Sequence, residues 1–110
     1  MFIRLYLNAK SKLEAQSVLQ RVLFKFKPIL ENIEFHRIEP YWKIENVYVV
    51  EITISVLKHN SDKEFRGILN SIADKWIEIG DPLTELIASD TTEECNFIID
   101  GLKMITIHIE

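Results

Sequence analysis

The chain contains one cysteine, three glycines and three prolines in 110 residues. A lone thiol, Cys95, excludes an intrachain disulfide and agrees with a reducing compartment. A free cysteine of this kind is expected to serve as a small buried apolar residue. The glycines, Gly67, Gly80 and Gly101, lie too far apart to form a phosphate-cradling loop. No apolar run approaches the roughly 20 residues that a membrane-spanning helix requires. The first residues have neither the basic start nor the long apolar core of a secretory signal, so the cytoplasm is the expected compartment.

Motifs that carry chemistry are missing as well. His36, His59 and His108 form no H-x-x-H or H-x-E pair, and one cysteine completes no zinc set, so no metal site is expected. No nucleophile elbow or serine–histidine–aspartate signature is present. Enzymatic activity and a cofactor are therefore not expected. A catalytic reading would need a buried cleft that holds His36 or His108 beside a carboxylate with a shifted pKa.

What is present reads as one α+β domain over residues 1–110. Phe2 to Asn8 alternates, with Ile3, Leu5 and Leu7 on one side, as a strand does. Ser11-Lys12-Leu13-Glu14 has the S-x-x-E form of a capping box. The helix after it carries Ala15, Val18, Leu19, Val22, Leu23 and Phe26 on one stripe, and Pro28 ends it. A short strand is expected from Ile33 to Ile38. A longer, β-branched one runs from Val47 to Leu57.

Ser61-Asp62-Lys63-Glu64 starts a second helix, with Phe65, Ile68, Leu69, Ile72, Ala73, Trp76 and Ile77 as its apolar stripe. Trp76 is placed in the core. Gly80 and Pro82 supply the expected stop. Residues 81–94 read as an acidic loop with a short strand at Glu85–Ser89. Asp100-Gly101 lies between the apolar runs 96–99 and 104–109, the signal of a hairpin with a type I′ turn. The expected architecture is an antiparallel sheet with both helices on one face. Its order is the ferredoxin-like β-α-β-β-α-β, with an extra C-terminal hairpin strand.

Charge is unevenly distributed. Residues 1–60 hold nine basic and six acidic residues, and residues 61–110 hold four basic and eleven acidic. No Lys or Arg occurs between Lys75 and Lys103, an interval that contains Glu78, Asp81, Glu85, Asp90, Glu93, Glu94 and Asp100. Such a segment attracts a basic partner and repels nucleic acid. Phe2 and Tyr6 would lie on an open sheet face, where related sheets stack RNA bases. However, the basic, Gly-rich strand that accompanies such aromatics is absent from 47–57. Tyr41-Trp42 beside Pro40 suggests a surface turn. Trp42 either anchors a partner there or folds back over the sheet edge.

The stretches Trp76-Ile77-Glu78-Ile79-Gly80-Asp81, Cys95-Asn96-Phe97-Ile98 and Met104-Ile105-Thr106-Ile107-His108-Ile109 resemble small immunity proteins of bacterial polymorphic toxin and contact-dependent growth inhibition systems. The resemblance covers mainly the C-terminal third. It implies a cytoplasmic protein that binds one cognate toxin domain and blocks its active site. Such toxins are often nucleases with basic substrate surfaces. On this reading Glu78, Asp81, Glu85, Asp90, Glu93, Glu94 and Trp42 face the partner, with the carboxylates in place of phosphates. The alternative is a small-molecule-binding regulatory domain of the ACT-like kind, which shares the strand–helix order. Against that stands Asn8-Ala9-Lys10, where such domains carry a Gly-containing loop. The oligomeric state is left open.

Overall fold

A computed structural model describes residues 1–59 and 61–109. Strand β1 (Phe2–Asn8) is followed by helix α1 (Lys12–Phe26). The Ser11 side chain caps α1 by accepting the Glu14 N–H at 3.2 Å. A short 3-10 turn at Lys27–Ile29, with Pro28 in its first turn, leads into β2 (Leu30–Pro40). Then follow β3 (Val47–Val56) and α2 (Asp62–Ile72), the latter capped by Ser61, which accepts the Glu64 N–H at 3.0 Å. Both helix starts therefore form where the two S-x-x-E motifs predict. Three further strands complete the chain: β4 (Ile77–Ile79), β5 (Glu85–Ser89) and β6 (Leu102–His108).

The fold is α+β: one six-stranded antiparallel sheet, ordered β2-β3-β1-β6-β5-β4, and two helices. Ile3, Leu5 and Leu7 share a single core with Val50, Ile52 and Ile54 of β3 and with Ile105 and Ile107 of β6. The stripes of α1 and α2 close the same core, so both helices cover one sheet face. Among the described residues, no helix is long and apolar enough to cross a membrane.

The C-terminal half departs from the expected order. Helix α2 stops at Ile72, a turn earlier than its stripe predicts. Ala73 is extended and bridges Ile98, and the Ile72 carbonyl that a further turn would use accepts the Ile99 N–H at 2.9 Å, while the Trp76 indole N–H reaches back to the carbonyls of Leu69 and Ala73, both at 3.0 Å. End-of-helix carbonyls thus find partners outside the helix, and the chain leaves it. Trp76 is half-buried against the core rather than within it. Ile77-Glu78-Ile79 then extends as β4, and Gly80, at φ +97°, serves the turn into β5 instead of capping a helix.

The predicted C-terminal hairpin does not form either. Residues 96–99 make one isolated bridge, Ala73 to Ile98, and no strand. The Leu102 N–H does bond the Ile99 carbonyl at 2.9 Å, which closes a turn around Asp100-Gly101. Only Gly101 has positive φ (+89°), however, which fits a type II turn and not the I′ turn that aligns hairpin strands. Strand β6 therefore pairs with β1 on one side and with β5, not residues 96–99, on the other.

Candidate partner-binding surface

The second face of the sheet carries no helix. Phe2, Arg4 and Tyr6 point to it from β1, together with their cross-strand partners Thr53, Glu51 and Val49 on β3 and His108, Thr106 and Met104 on β6. A β-bulge at His36 on β2 brings both His36 and Arg37 to this side. Glu51 accepts hydrogen bonds from Arg4 at 2.8 Å and from Arg37 at 2.6 Å, and Arg37 also pairs with Glu39. Burial alone would raise the Glu51 carboxyl, but the two guanidinium partners outweigh it and hold it below its ordinary value. Arg37 is correspondingly raised, first by its hydrogen bond to Glu51. Phe2 lies between the rings of His36 and His108, with centroids 6.1 and 5.8 Å away.

The six acidic residues expected to face a partner do not gather in one patch. They run along the β4–β5 margin of the sheet. Glu78 pairs with Arg66 (3.4 Å), Glu85 approaches His108 (3.9 Å) and Glu94 approaches Lys75 (3.8 Å). Arg66 and Lys75 lie in sequence just before the interval that lacks cations, and the fold brings them back onto it. Asp81, Asp90 and Glu93 have no ion-pair partner among the described residues. Asp81 sits in the β4–β5 turn near Glu85, whereas Asp90, Glu93 and Glu94 follow the other end of β5. Five steps of about 3.4 Å from Glu85 to Asp90 put these two groups roughly 17 Å apart along the chain.

The connection that carries Asp90, Glu93 and Glu94 is tied back just after Glu94, at Asn96 and Phe97, by a residue that the sequence pattern hid inside a helix. The Asp74 carboxylate accepts the N–H groups of Asn96 and Phe97, each at 3.0 Å, and Asp74 N–H bonds the Phe97 carbonyl. The Phe97 bond leads in holding the Asp74 carboxyl below the usual carboxylate range, against some opposing desolvation. Thr92 N–H to Ser89 O and Cys95 N–H to Thr92 O close the intervening turns. Glu94 takes φ +69°, an uncommon conformation for a side-chain-bearing residue, at the tip of this clamp. One sequence signal points toward the clamp: Ile77-Glu78-Ile79 alternates with period two, which ends α2 before Ile77.

Trp42 is 83% exposed in the β2–β3 turn and does not fold back over the sheet. Tyr41 takes that place, its ring 5.1 Å from Tyr6, and Lys43 lies 5.1 Å over the Trp42 ring. This turn is at the same end of the sheet as Asp90, but β1 and β6 intervene between them. Cys95 is half-buried rather than fully so, and its thiol points to the Phe97 carbonyl. Burial, then the nearby Asp74 carboxylate, push that thiol up, which disfavours the thiolate a nucleophile needs. His36 bonds Thr53 Oγ1 at 2.7 Å on the uncovered face. His36, His59 and His108 are all at least partly solvent-accessible, and no group of three or more metal-ligating side chains occurs among the described residues. Comparison with protein-family models, characterised proteins and solved structures gives no match.

Proposed function

We propose that this chain is a non-enzymatic binding protein of the immunity type. It captures a basic toxin domain, a nuclease by preference, along its β4–β5 margin in the cytoplasm of the producing cell. The observation that carries the reading is the acidic 90–94 connection, pinned in place by Asp74. A backbone already tied down next to these acids loses less conformational freedom on binding, and the unpaired charge of Asp90 and Glu93 speeds association with a basic groove. Asp90, Glu93 and Glu94 supply the first contact, Asp81 and Glu85 extend it along the margin, and Trp42 offers an aromatic anchor at the same end. In this reading β1, α1, β2, β3, α2 and β6 form a ferredoxin-like frame, with β4 and β5 as the insertion that presents the acids.

The test is binding to the toxin domain encoded immediately upstream. Calorimetry should give a 1:1 complex that weakens as salt rises, and Asp90→Lys with Glu93→Lys should weaken it by at least about tenfold. If no complex forms even at low salt, where screening is least, the proposal is wrong.

A second reading rests on a cavity of about 440 Å³ between α2 and the sheet. It is walled by Val56, Phe65, Leu69, Leu83 and Leu86, with the Asp62–Arg66 pair at its rim. An apolar recess with a few polar groups suits a small ligand and a regulatory role of the ACT-like kind. A thermal-shift screen separates the two readings, since a specific ligand raises Tm by mass action.

A further inference from the structure

Helix α1 has a second stripe opposite the one it buries. Leu13, Ser17, Gln20 and Phe24 recur at spacings of four, three and four, and all are exposed. Leu13 is 78% exposed and Phe24 67%. No charge interrupts this stripe, but cations flank it on both sides: Lys12 and Lys27 on one, and Arg21 and Lys25, with Glu14 between them, on the other.

Phe24 forms a ridge between two open grooves. One, of about 700 Å³, is bounded by Ser17, Arg21, Lys25, Phe97, Ile99 and Asp100, and the other, of about 370 Å³, by Leu23, Ile33 and Phe35. Phe35 and Phe97 are themselves about half exposed, at 57% and 48%. Three solvent-facing phenylalanines on one side of a domain of this size are more than scattered surface residues, and such patches mark interaction sites.

Among the four arginines, the one on this face stands apart. Arg4, Arg37 and Arg66 each hold a carboxylate, whereas Arg21 has no ion-pair partner among the described residues. The same is true of Lys12, Lys25 and Lys27. Lys27 instead lies 5.8 Å over the Phe24 ring. Four cations against Glu14 and Asp100 thus leave a net positive border around an apolar ridge, on a chain that carries excess negative charge overall.

We infer that the outer face of α1 is a docking surface for an acidic amphipathic segment of a partner protein. Its bulky side chains fill the grooves on either side of Phe24, and its carboxylates meet Arg21, Lys25, Lys12 and Lys27. The partner segment packs along α1 in the manner of a helix laid into a groove, with apolar anchors three and four residues apart. Charge complementarity selects an acidic partner, and paired grooves select side chains in preference to a flat anionic bilayer. This surface is separate from the acidic margin and does not depend on what binds there.

The test is unbiased selection from a displayed library of random 16-residue peptides, at low salt, with the whole chain immobilised. Peptides retained by the wild type should be rich in Asp and Glu together with Leu, Ile or Phe. They should bind the Phe24→Ser/Arg21→Glu double variant at least about tenfold more weakly, as removal of a central anchor does. Asp90→Lys should leave them unaffected. Both substituted side chains are exposed, so the double variant should keep the wild-type Tm, and Lys12→Glu/Lys25→Glu gives an independent pair. Retained peptides that are basic or uncharged, or that bind both double variants as tightly as the wild type, overturn the inference. Capture by phosphatidylserine vesicles with no peptide retained overturns it equally.

Discussion

Asp74 and Phe97 are tied to each other twice: the Asp74 carboxylate accepts the Phe97 N–H, and the Phe97 carbonyl accepts the Asp74 N–H, both at 3.0 Å. This reciprocal pair joins the end of α2 to the connection that carries Asp90, Glu93 and Glu94. Its consequence is local order. Replacing Asp74 by Ala should raise amide hydrogen exchange over residues 91–97 while exchange in β1 and β3 stays as it is. Acid should act in the same direction. A carboxyl held below its ordinary value contributes above the unfolded-state pKa, and that contribution is lost as pH falls through the folded one. Unchanged protection over 91–97 in the variant would show that the connection holds itself.

Gly101 faces Val18 of α1, and a Cβ built on it would lie 2.6 Å from Val18 Cγ2. Val18 is buried and cannot move aside, and φ at Gly101 is +89°. Gly101→Ala should therefore cost about 2 kcal/mol, from backbone strain and overpacking together. Gly67, within α2, is the contrast, since a Cβ there meets nothing within 4 Å. Gly67→Ala should stabilise by about 0.5–1 kcal/mol through helix propensity alone. Urea unfolding of both variants checks the signs, and equal signs would defeat the argument.

These two glycines also show where the sequence is informative. Alternation in Phe2–Asn8 and Val47–Val56, the stripe of α1 and the two serine caps are local signals, and the chain obeys them. The exit from α2 is not local. Trp76 and Ile77 continue the helical stripe, yet the helix ends because residues 97–99, distant in sequence, pair with the backbone of Ile72, Ala73 and Asp74. Asp100-Gly101 signals a turn correctly but not its type, since β1 is available to β6 and residues 96–99 bond to the end of α2 instead. The candidate surface was legible as composition, not as geometry. An interval without cations cannot reveal that Arg66 and Lys75 return to it in space.

Thr106 sits between Arg4 and Ile87 in the sheet, 8% exposed, and its hydroxyl has no hydrogen-bond partner among the described residues. Burying an unpaired hydroxyl is unfavourable, whereas valine has the same shape without that cost. Thr106→Val should stabilise the fold by about 1 kcal/mol, read as a Tm rise of roughly 4 °C. A fall in Tm would mean that the hydroxyl has a partner after all.

Glu51 joins β1, β2 and β3 on the uncovered face through Arg4 and Arg37, and its side chain is only 15% exposed. Removing its charge leaves two guanidinium groups without their shared acceptor, though both arginines still reach water. Glu51→Gln should therefore cost a modest amount at neutral pH, about 1–2 kcal/mol. The sign of the pH dependence follows from the depressed carboxyl. Above the unfolded glutamate value of about 4.3 the wild type keeps the full contribution, because both states are ionised and only the folded one is paired. As pH falls below that value the unfolded chain takes up the proton first, and the advantage shrinks until the folded carboxyl protonates too. Urea unfolding at neutral pH and at several values from pH 5 downward should show wild type and variant converging in acid. A stability difference that stayed constant across that range would mean that Glu51 contributes by packing and not by charge.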